Sequence, residues 1–389
     1  MPESSIEFSI FLIFSGAAVL ATLALFARQA MIVAYIMSGI ILGPWGMGLV
    51  SDSELIQDIS NIGIIFLLYL LGLDLFPQQL WQMLGKASLT TLVSSLIFLL
   101  SGLGLGFLFH YSIQESLLIG SALMFSSTII GVKLLPTTIL HHKHTGQIII
   151  SVLLLQDLLA IILLLLLQGY GKGENLVTDI IVQLVTLPVL VFCAWLFEKY
   201  ILVKLITRFD QIHEYIFLLA IAWCLGISEF AVILGLSHEI GAFVAGVTLA
   251  SSPIAFFITE KLKPLRDFFL ITFFFALGAS FNIGMIQVII LPAIVFASAV
   301  IIIKPVVFRY LFVRTGENPD ISLEVGFRLG QISEFSILIA VLAVESGFIS
   351  NEISFLIQLA TLLTFIISSY IIVLSYPTPI AISDRLRRD

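Results

Sequence analysis

Long apolar runs of roughly 18 or more residues recur along almost the whole chain, separated by short polar stretches. Neither strict alternation nor a narrow apolar stripe accounts for them, so they read as helices surrounded by hydrocarbon. The pattern predicts about thirteen transmembrane helices, at residues 8–27, 30–50, 56–75, 87–110, 114–135, 147–168, 177–197, 213–234, 236–256, 264–282, 285–309, 323–345 and 352–376. The eighth and ninth are the least sharply bounded, because "GISEFAVILGLSHEIGAF" carries polar residues and a candidate break.

The loops are short, so the distribution of Lys and Arg sets the orientation. With the N-terminus outside, fifteen of the eighteen basic residues fall on the cytoplasmic side, one (Lys172) falls outside, and Lys304 and Arg328 lie within spans. The expected location is the cell's inner (plasma) membrane, multi-pass, with the C-terminus cytoplasmic. An odd span number suggests two six-helix units of opposite orientation. Residues 1–168 form the first inverted repeat, 177–197 a linker helix, 213–376 the second repeat and 377–389 a cytoplasmic tail. Two spans carry clusters suited to an unwound turn. The fifth contains "MFSSTIIG", with Ser126, Ser127, Thr128 and Gly131. The twelfth contains "RLGQISEFS", with Gly330, Gln331, Ser333 and Glu334.

Composition agrees with the pattern. The chain of 389 residues is 59% hydrophobic and 11% charged, less than half the charge of an average soluble protein, so the fold class is an all-α integral membrane protein. Cys193 and Cys224 sit inside apolar runs, and nothing in their placement points to a disulfide framework or a thiolate metal site. Glu3 and Glu7 replace the basic start of a cleaved signal, so residues 8–27 read as a retained span.

Against this background the intramembrane charges stand out: Asp157 in "LLLQDLLAI", Lys304 in "AVIIIKPVVF", Arg328, Glu334, and Glu239 near a span end. A carboxylate in hydrocarbon is costly, and such residues mark ion or proton paths or else pair to fix helix packing. Lys304 reads as the counter-charge of Asp157, or as a snorkelling lysine. Pro305 beside it is positioned to bend its helix. Arg328 and Glu334 read as structural ion pairs with other helices. "HHKH" at 141–144 reads as a plain polar loop, Gly102 and Gly106 as close helix packing, and "GKGENL" at 171–176 lacks the context of a nucleotide fingerprint. No nucleophilic triad or zinc motif is visible, so the chain is not expected to be an enzyme.

Several blocks together resemble the monovalent cation:proton antiporters, in their Kef-type potassium/proton branch. They are "YLLGLDLFPQQLW", "MFSSTIIGVKLL", "LLLQDLLAI" with its Gln-Asp pair, "GAFVAGVTLASS", "FFFALGASFN" and "LGQISEF". The last has Ile332 where the family has Gly, and Glu239 replaces a small residue. The resemblance implies an elevator-type antiporter fold with crossed discontinuous helices, in which a core domain moves against a dimerisation domain. It also implies that Asp157 binds the cation and exchanges the proton, assisted by Gln156, Ser126, Ser127 and Thr128. Lys304, Glu334 and Arg328 are the implied charge partners.

The function so implied is exchange of a monovalent cation, K⁺ ahead of Na⁺, for H⁺. A single carboxylate makes the exchange electroneutral. The alternatives are a Na⁺/H⁺ antiporter and a ligand-gated potassium efflux pathway without strict proton coupling. Asp157 is the expected ligand of the transported monovalent cation, and no cofactor is expected. The expected partners are the cation, the proton, the lipid bilayer, a second copy in a homodimer, and a separate or removed C-terminal nucleotide-binding regulatory domain. Nucleic acid is not among them.

Overall fold

The computed structural model describes residues 6–50, 52–74, 86–136, 144–168, 176–209, 211–250, 252 and 255–378. The helices, in chain order, begin with α1 (Ile6–Phe26), α2 (Met31–Leu42), α3 (Ser53–Asp74), α4 (Lys86–Leu108) and α5 (Ile113–Met124). Next come α6 (Thr128–Lys133), α7 (His144–Gln168) and α8 (Leu176–Phe197), the last running through a π-turn into α9 (Val203–Arg208). The second half holds α10 (His213–Ile233), α11 (His238–Ala250), α12 (Ala255–Ser280) and α13 (Ile286–Arg314). It ends with α14 (Pro319–Arg328), α15 (Glu334–Glu345) and α16 (Asn351–Ser375). Every stretch expected to be helical carries helix, and among the described residues eight helices are long and apolar enough to cross a membrane.

The local chemistry of the helix ends is legible. At the start of α5, Ser112 and Glu115 form a reciprocal capping box. Asn318 caps α14, with Pro319 at its first position, where no backbone donor is lost. Gly316 (φ 93°) makes the turn from α13 into α14 in a conformation that side chains disfavour. The uncertain eighth and ninth spans separate at a turn through Gly235 (φ 82°), and Glu239 falls in the first turn of α11, where a carboxylate suits the exposed N–H groups. Pro305 is accommodated inside a continuous α13 rather than ending it.

The chain divides into two compact units. The first comprises residues 1–17, 38–81 and 168–280, and the second residues 18–37, 82–167 and 281–389. In the first unit α3 packs against α11 and α12. Gly72 lies against Phe243 and Val247 of α11, and Gly246 of α11 against the Tyr69 carbonyl, so small residues let the two backbones touch. Phe66 stacks on Phe269 of α12 with centroids 4.4 Å apart, and the Trp223 indole donates to the Ala245 carbonyl at 3.0 Å. In the second unit α4 lies along α5, where Gly102 faces Gly120 and Gly106 faces Ser116, which is the close packing expected of that glycine pair. Phe98, Ile149, Val152, Phe308 and Leu329 form the core that joins α4, α7 and α13 to the end of α14.

Two helices of this second unit are interrupted. Between α5 and α6 the chain leaves helical form over residues 125–127, with Phe125 extended, and between α14 and α15 over residues 329–333. Both breaks fall in the polar clusters singled out above.

Gly246→Leu is expected to destabilise the first unit by roughly 1–3 kcal/mol, because the added side chain must displace the α3 backbone. A fall in the melting temperature of the purified protein checks this. An unchanged melting temperature would mean that α3 and α11 do not meet as closely as described.

Candidate ion site at two helix breaks

A helix break strands backbone groups: carbonyls of the turn that ends and N–H groups of the turn that begins. Inside an apolar protein each must find a partner. The polar side chains of the second unit meet this demand at both breaks.

At the first break, the Gln156 amide of α7 spans the interruption. Its Nε2 donates to the Met124 carbonyl at 3.0 Å, and its Oε1 accepts from the Ser126 N–H at 3.0 Å. The Ser127 hydroxyl accepts from the Ile130 N–H at 3.2 Å and so caps α6. At the second break, Gln331 donates to the Arg328 carbonyl at 2.9 Å and reaches the Ser127 carbonyl of the first break at 3.3 Å. The Ser126 hydroxyl donates to the Leu329 carbonyl at 2.8 Å, and the Ser336 hydroxyl to the Ala122 carbonyl at 2.6 Å. The two breaks are therefore tied to each other side to side.

Lys304 of α13 is 1% exposed and completes the junction. Its ammonium donates to the Phe125 carbonyl at 2.7 Å, the Gln331 carbonyl at 2.8 Å and the Ser126 hydroxyl at 3.2 Å, and it lies 5.4 Å from the centre of the Phe98 ring. These three oxygens match the three donors of an ammonium. Asp157 is not among the partners, so the direct ion pair expected from the sequence gives way to a different arrangement. The breaks place carbonyl dipoles from two interrupted helices nearer the lysine than the carboxylate.

Asp157 lies one residue beyond Gln156 on α7 and is 3% exposed. One of its oxygens stands 3.5 Å from the Thr128 hydroxyl, at the long limit of a hydrogen bond. Glu334 approaches the same turn from α15, and its Oε1 accepts from the Ile129 N–H at 3.3 Å. Two carboxylates thus converge on the first turn of α6, one on a hydroxyl and one on a backbone amide.

Arg328 is fully buried, but its ion pair is local rather than with another helix. It bonds Glu324 of its own helix at 2.9 Å, the pairing that a spacing of four makes easy. Its remaining donors reach the Leu134 carbonyl at 3.1 Å and the Pro377 carbonyl at 2.9 Å. The Tyr376 ring lies 5.7 Å away.

The sequence analysis gives α16 as a span but assigns no role to its polar residues, of which the Thr364 hydroxyl accepts from the Ile332 N–H at 3.1 Å and the Ser368 hydroxyl donates to Gln331 at 3.0 Å. The signal was present: Ser354, Gln358, Thr361, Thr364 and Ser368 recur at three- and four-residue spacing and are all buried. Residues 141–143 of "HHKH", 171–175 of the "GKGENL" loop and 75–81 of "YLLGLDLFPQQLW" lie outside the described residues. His144 does not; it bonds Glu317 at 2.8 Å. Among the described residues no group of three His, Cys, Asp or Glu is placed to hold a metal ion.

Comparison with known proteins gives matches of three kinds. The family model for the transmembrane sodium/hydrogen exchanger matches residues 11–374. K(+) efflux antiporter 5 of Arabidopsis thaliana is 30% identical over 332 residues, covering 80% of this chain and 56% of that protein. The chain therefore spans a little over half the length of that relative. The structure of the sodium proton antiporter MjNhaP1 from Methanocaldococcus jannaschii superposes with a TM-score of 0.70 at 17% identity, covering 94% of this chain and 95% of that one, so the two share a fold.

Lys304→Met is expected to cost about 3 kcal/mol, because it leaves two buried carbonyls without a donor. Thermal unfolding of the purified variant, in the absence of any ion gradient, checks this. A melting temperature equal to that of the parent would show that Lys304 does not hold the breaks together.

Proposed function

Because the chain belongs to the sodium/hydrogen exchanger family, within the monovalent cation:proton antiporters and their Kef-type branch, we propose that it exchanges K⁺ for H⁺ by alternating access, one for one, through Asp157. One observation carries this reading: Asp157 is a buried carboxylate on α7 that stands 3.5 Å from the Thr128 hydroxyl, one residue beyond the amide that spans the first helix break. Lys304 and Gln331 serve the stranded carbonyls, Gln156 serves both sides of the first break, and Glu334 serves an amide of α6. The Thr128 hydroxyl stands at the long limit of a hydrogen bond from Asp157, and a hydroxyl suits a carboxylate that holds a proton at one moment and a cation at another.

In this reading Asp157 is the ligand of the transported cation, and Ser126, Ser127 and Thr128 supply the polar wall. Gln156 acts through the backbone that it fixes rather than as a second titrating group. Binding of K⁺ displaces the proton, because one negative charge in a poorly solvated place supports one positive charge at a time. The preference for K⁺ rests on the Gln-Asp sequence and on the name of the Arabidopsis relative. Na⁺ is the competing cargo, and the sodium proton antiporter of like fold is similar in architecture alone.

We read the chain as two inverted repeats, residues 1–168 and 213–376, joined by the helix over 177–197, with the N-terminus outside and the C-terminus in the cytoplasm. The excess of basic residues in the predicted cytoplasmic loops supports that orientation. The unit that carries Asp157 is the body that moves, and the other belongs to a homodimeric scaffold in the plasma membrane. A regulatory domain that binds nucleotides is the further partner this reading includes.

Asp157→Asn preserves size and polarity and removes the titrating group. Reconstituted in vesicles that report internal pH, the variant is expected to lose K⁺-dependent proton movement down to the background of empty vesicles, with its melting temperature kept near that of the parent. Retention of parental exchange by a folded Asp157→Asn protein would overturn the assignment of the site.

A further inference from the structure

The second unit carries a groove of about 860 Å³ that the ion site does not use. Ile302, Val306, Tyr310 and Val313 form one wall, a single face of α13 at spacings of three and four. Pro319, Leu323 and Phe327 form the other, a single face of α14 at a spacing of four. The α13 wall is outward-facing, with Ile302 65% and Val306 61% exposed. It extends about 16 Å along the helix, a length suited to much of one acyl chain.

The groove is not uniformly apolar. Arg309 and Arg314 join its lining toward the end of α13. The Arg314 guanidinium lies 4.9 Å from the centre of the Tyr310 ring, and neither arginine is paired with a carboxylate among the described residues. Two nearby acids are already engaged, Glu317 by His144 and Glu324 by Arg328. Both arginines belong to the segments that the excess of basic residues assigns to the cytoplasmic side, where anionic lipid headgroups gather at basic pockets between helices.

We propose that this groove binds a phospholipid with an anionic headgroup. The acyl chain lies along Ile302 and Val306, and the phosphate meets Arg309 and Arg314. A zwitterionic lipid fills the same apolar walls but gains less from the two arginines. The proposal does not depend on which cation is transported. Its seat is nevertheless close to the ion site in the chain, because Pro305 lines the groove, packs against Gly326 of α14 and adjoins Lys304.

Purified, delipidated protein offered phosphatidylglycerol, phosphatidylcholine or inorganic phosphate tests this through lipid retained in native mass spectrometry and through melting temperature. Phosphatidylglycerol is expected to be retained and to raise the melting temperature, phosphatidylcholine to do so weakly, and inorganic phosphate not at all. The double variant Arg309→Gln/Arg314→Gln should weaken retention about 25-fold, from two contacts each worth roughly fivefold. Val306→Trp, which fills the groove and keeps both arginines, should also lower retention of phosphatidylglycerol. Equal retention of the two lipids, parental retention by the double variant, or a full effect of inorganic phosphate alone would overturn the proposal. So would a Val306→Trp protein that keeps its lipid but changes from dimer to monomer, since the groove would then seat a second copy.

Discussion

The ammonium of Lys304 is the contact on which the interior of the second unit depends. A buried charge is tolerated only where its surroundings replace the water it has lost, and here two broken helices do so with the carbonyls of Phe125 and Gln331. The dependence is mutual. A helix interrupted inside an apolar protein leaves carbonyls that no neighbouring aliphatic side chain can satisfy, and one lysine answers both interruptions at once. Ser126 belongs to both sides of this arrangement, since its hydroxyl meets the lysine and also donates to Leu329 of the second break.

The division of labour among the other polar groups follows. Gln156 and Asp157 are neighbours on one helix and point in directions about 100° apart, so they meet different parts of the first break. The amide faces stranded backbone, which needs a donor and an acceptor together. The carboxylate faces a hydroxyl. This is a physical reason for Gln rather than a second Asp at 156: a carboxylate there accepts from the Ser126 N–H but has nothing to donate to the Met124 carbonyl.

Much of this was legible beforehand, and the limits have identifiable causes. The helical stretches follow from hydrocarbon length, and both breaks follow from clusters of Ser, Thr, Gly and Gln in otherwise apolar runs. The burial of Asp157 follows from its place in an aliphatic run. The partners of Lys304 did not follow, because they are backbone carbonyls, which are the same at every residue and carry no sequence signal. Pairing by charge pointed to Asp157, while the breaks supplied oxygens from residues 27 and 179 positions away. Arg328 is the opposite case: its partner Glu324 stands at a four-residue spacing that the sequence shows directly. The polar stripe of α16 is equally readable in its spacing, but its members are uncharged and cost less to bury than the ionisable residues.

With Lys304 occupied by the helix breaks and Gln156 neutral, the proposed exchange moves one cation against one proton through Asp157, and no net charge crosses the membrane. The initial rate of K⁺-driven proton movement in reconstituted vesicles, measured while the membrane potential is set to different values, tests this most directly. One-for-one exchange predicts proton movement at zero potential and an initial rate that does not change as the potential is varied. A rate that follows the imposed potential, or the absence of any K⁺-driven pH change at zero potential, would contradict it.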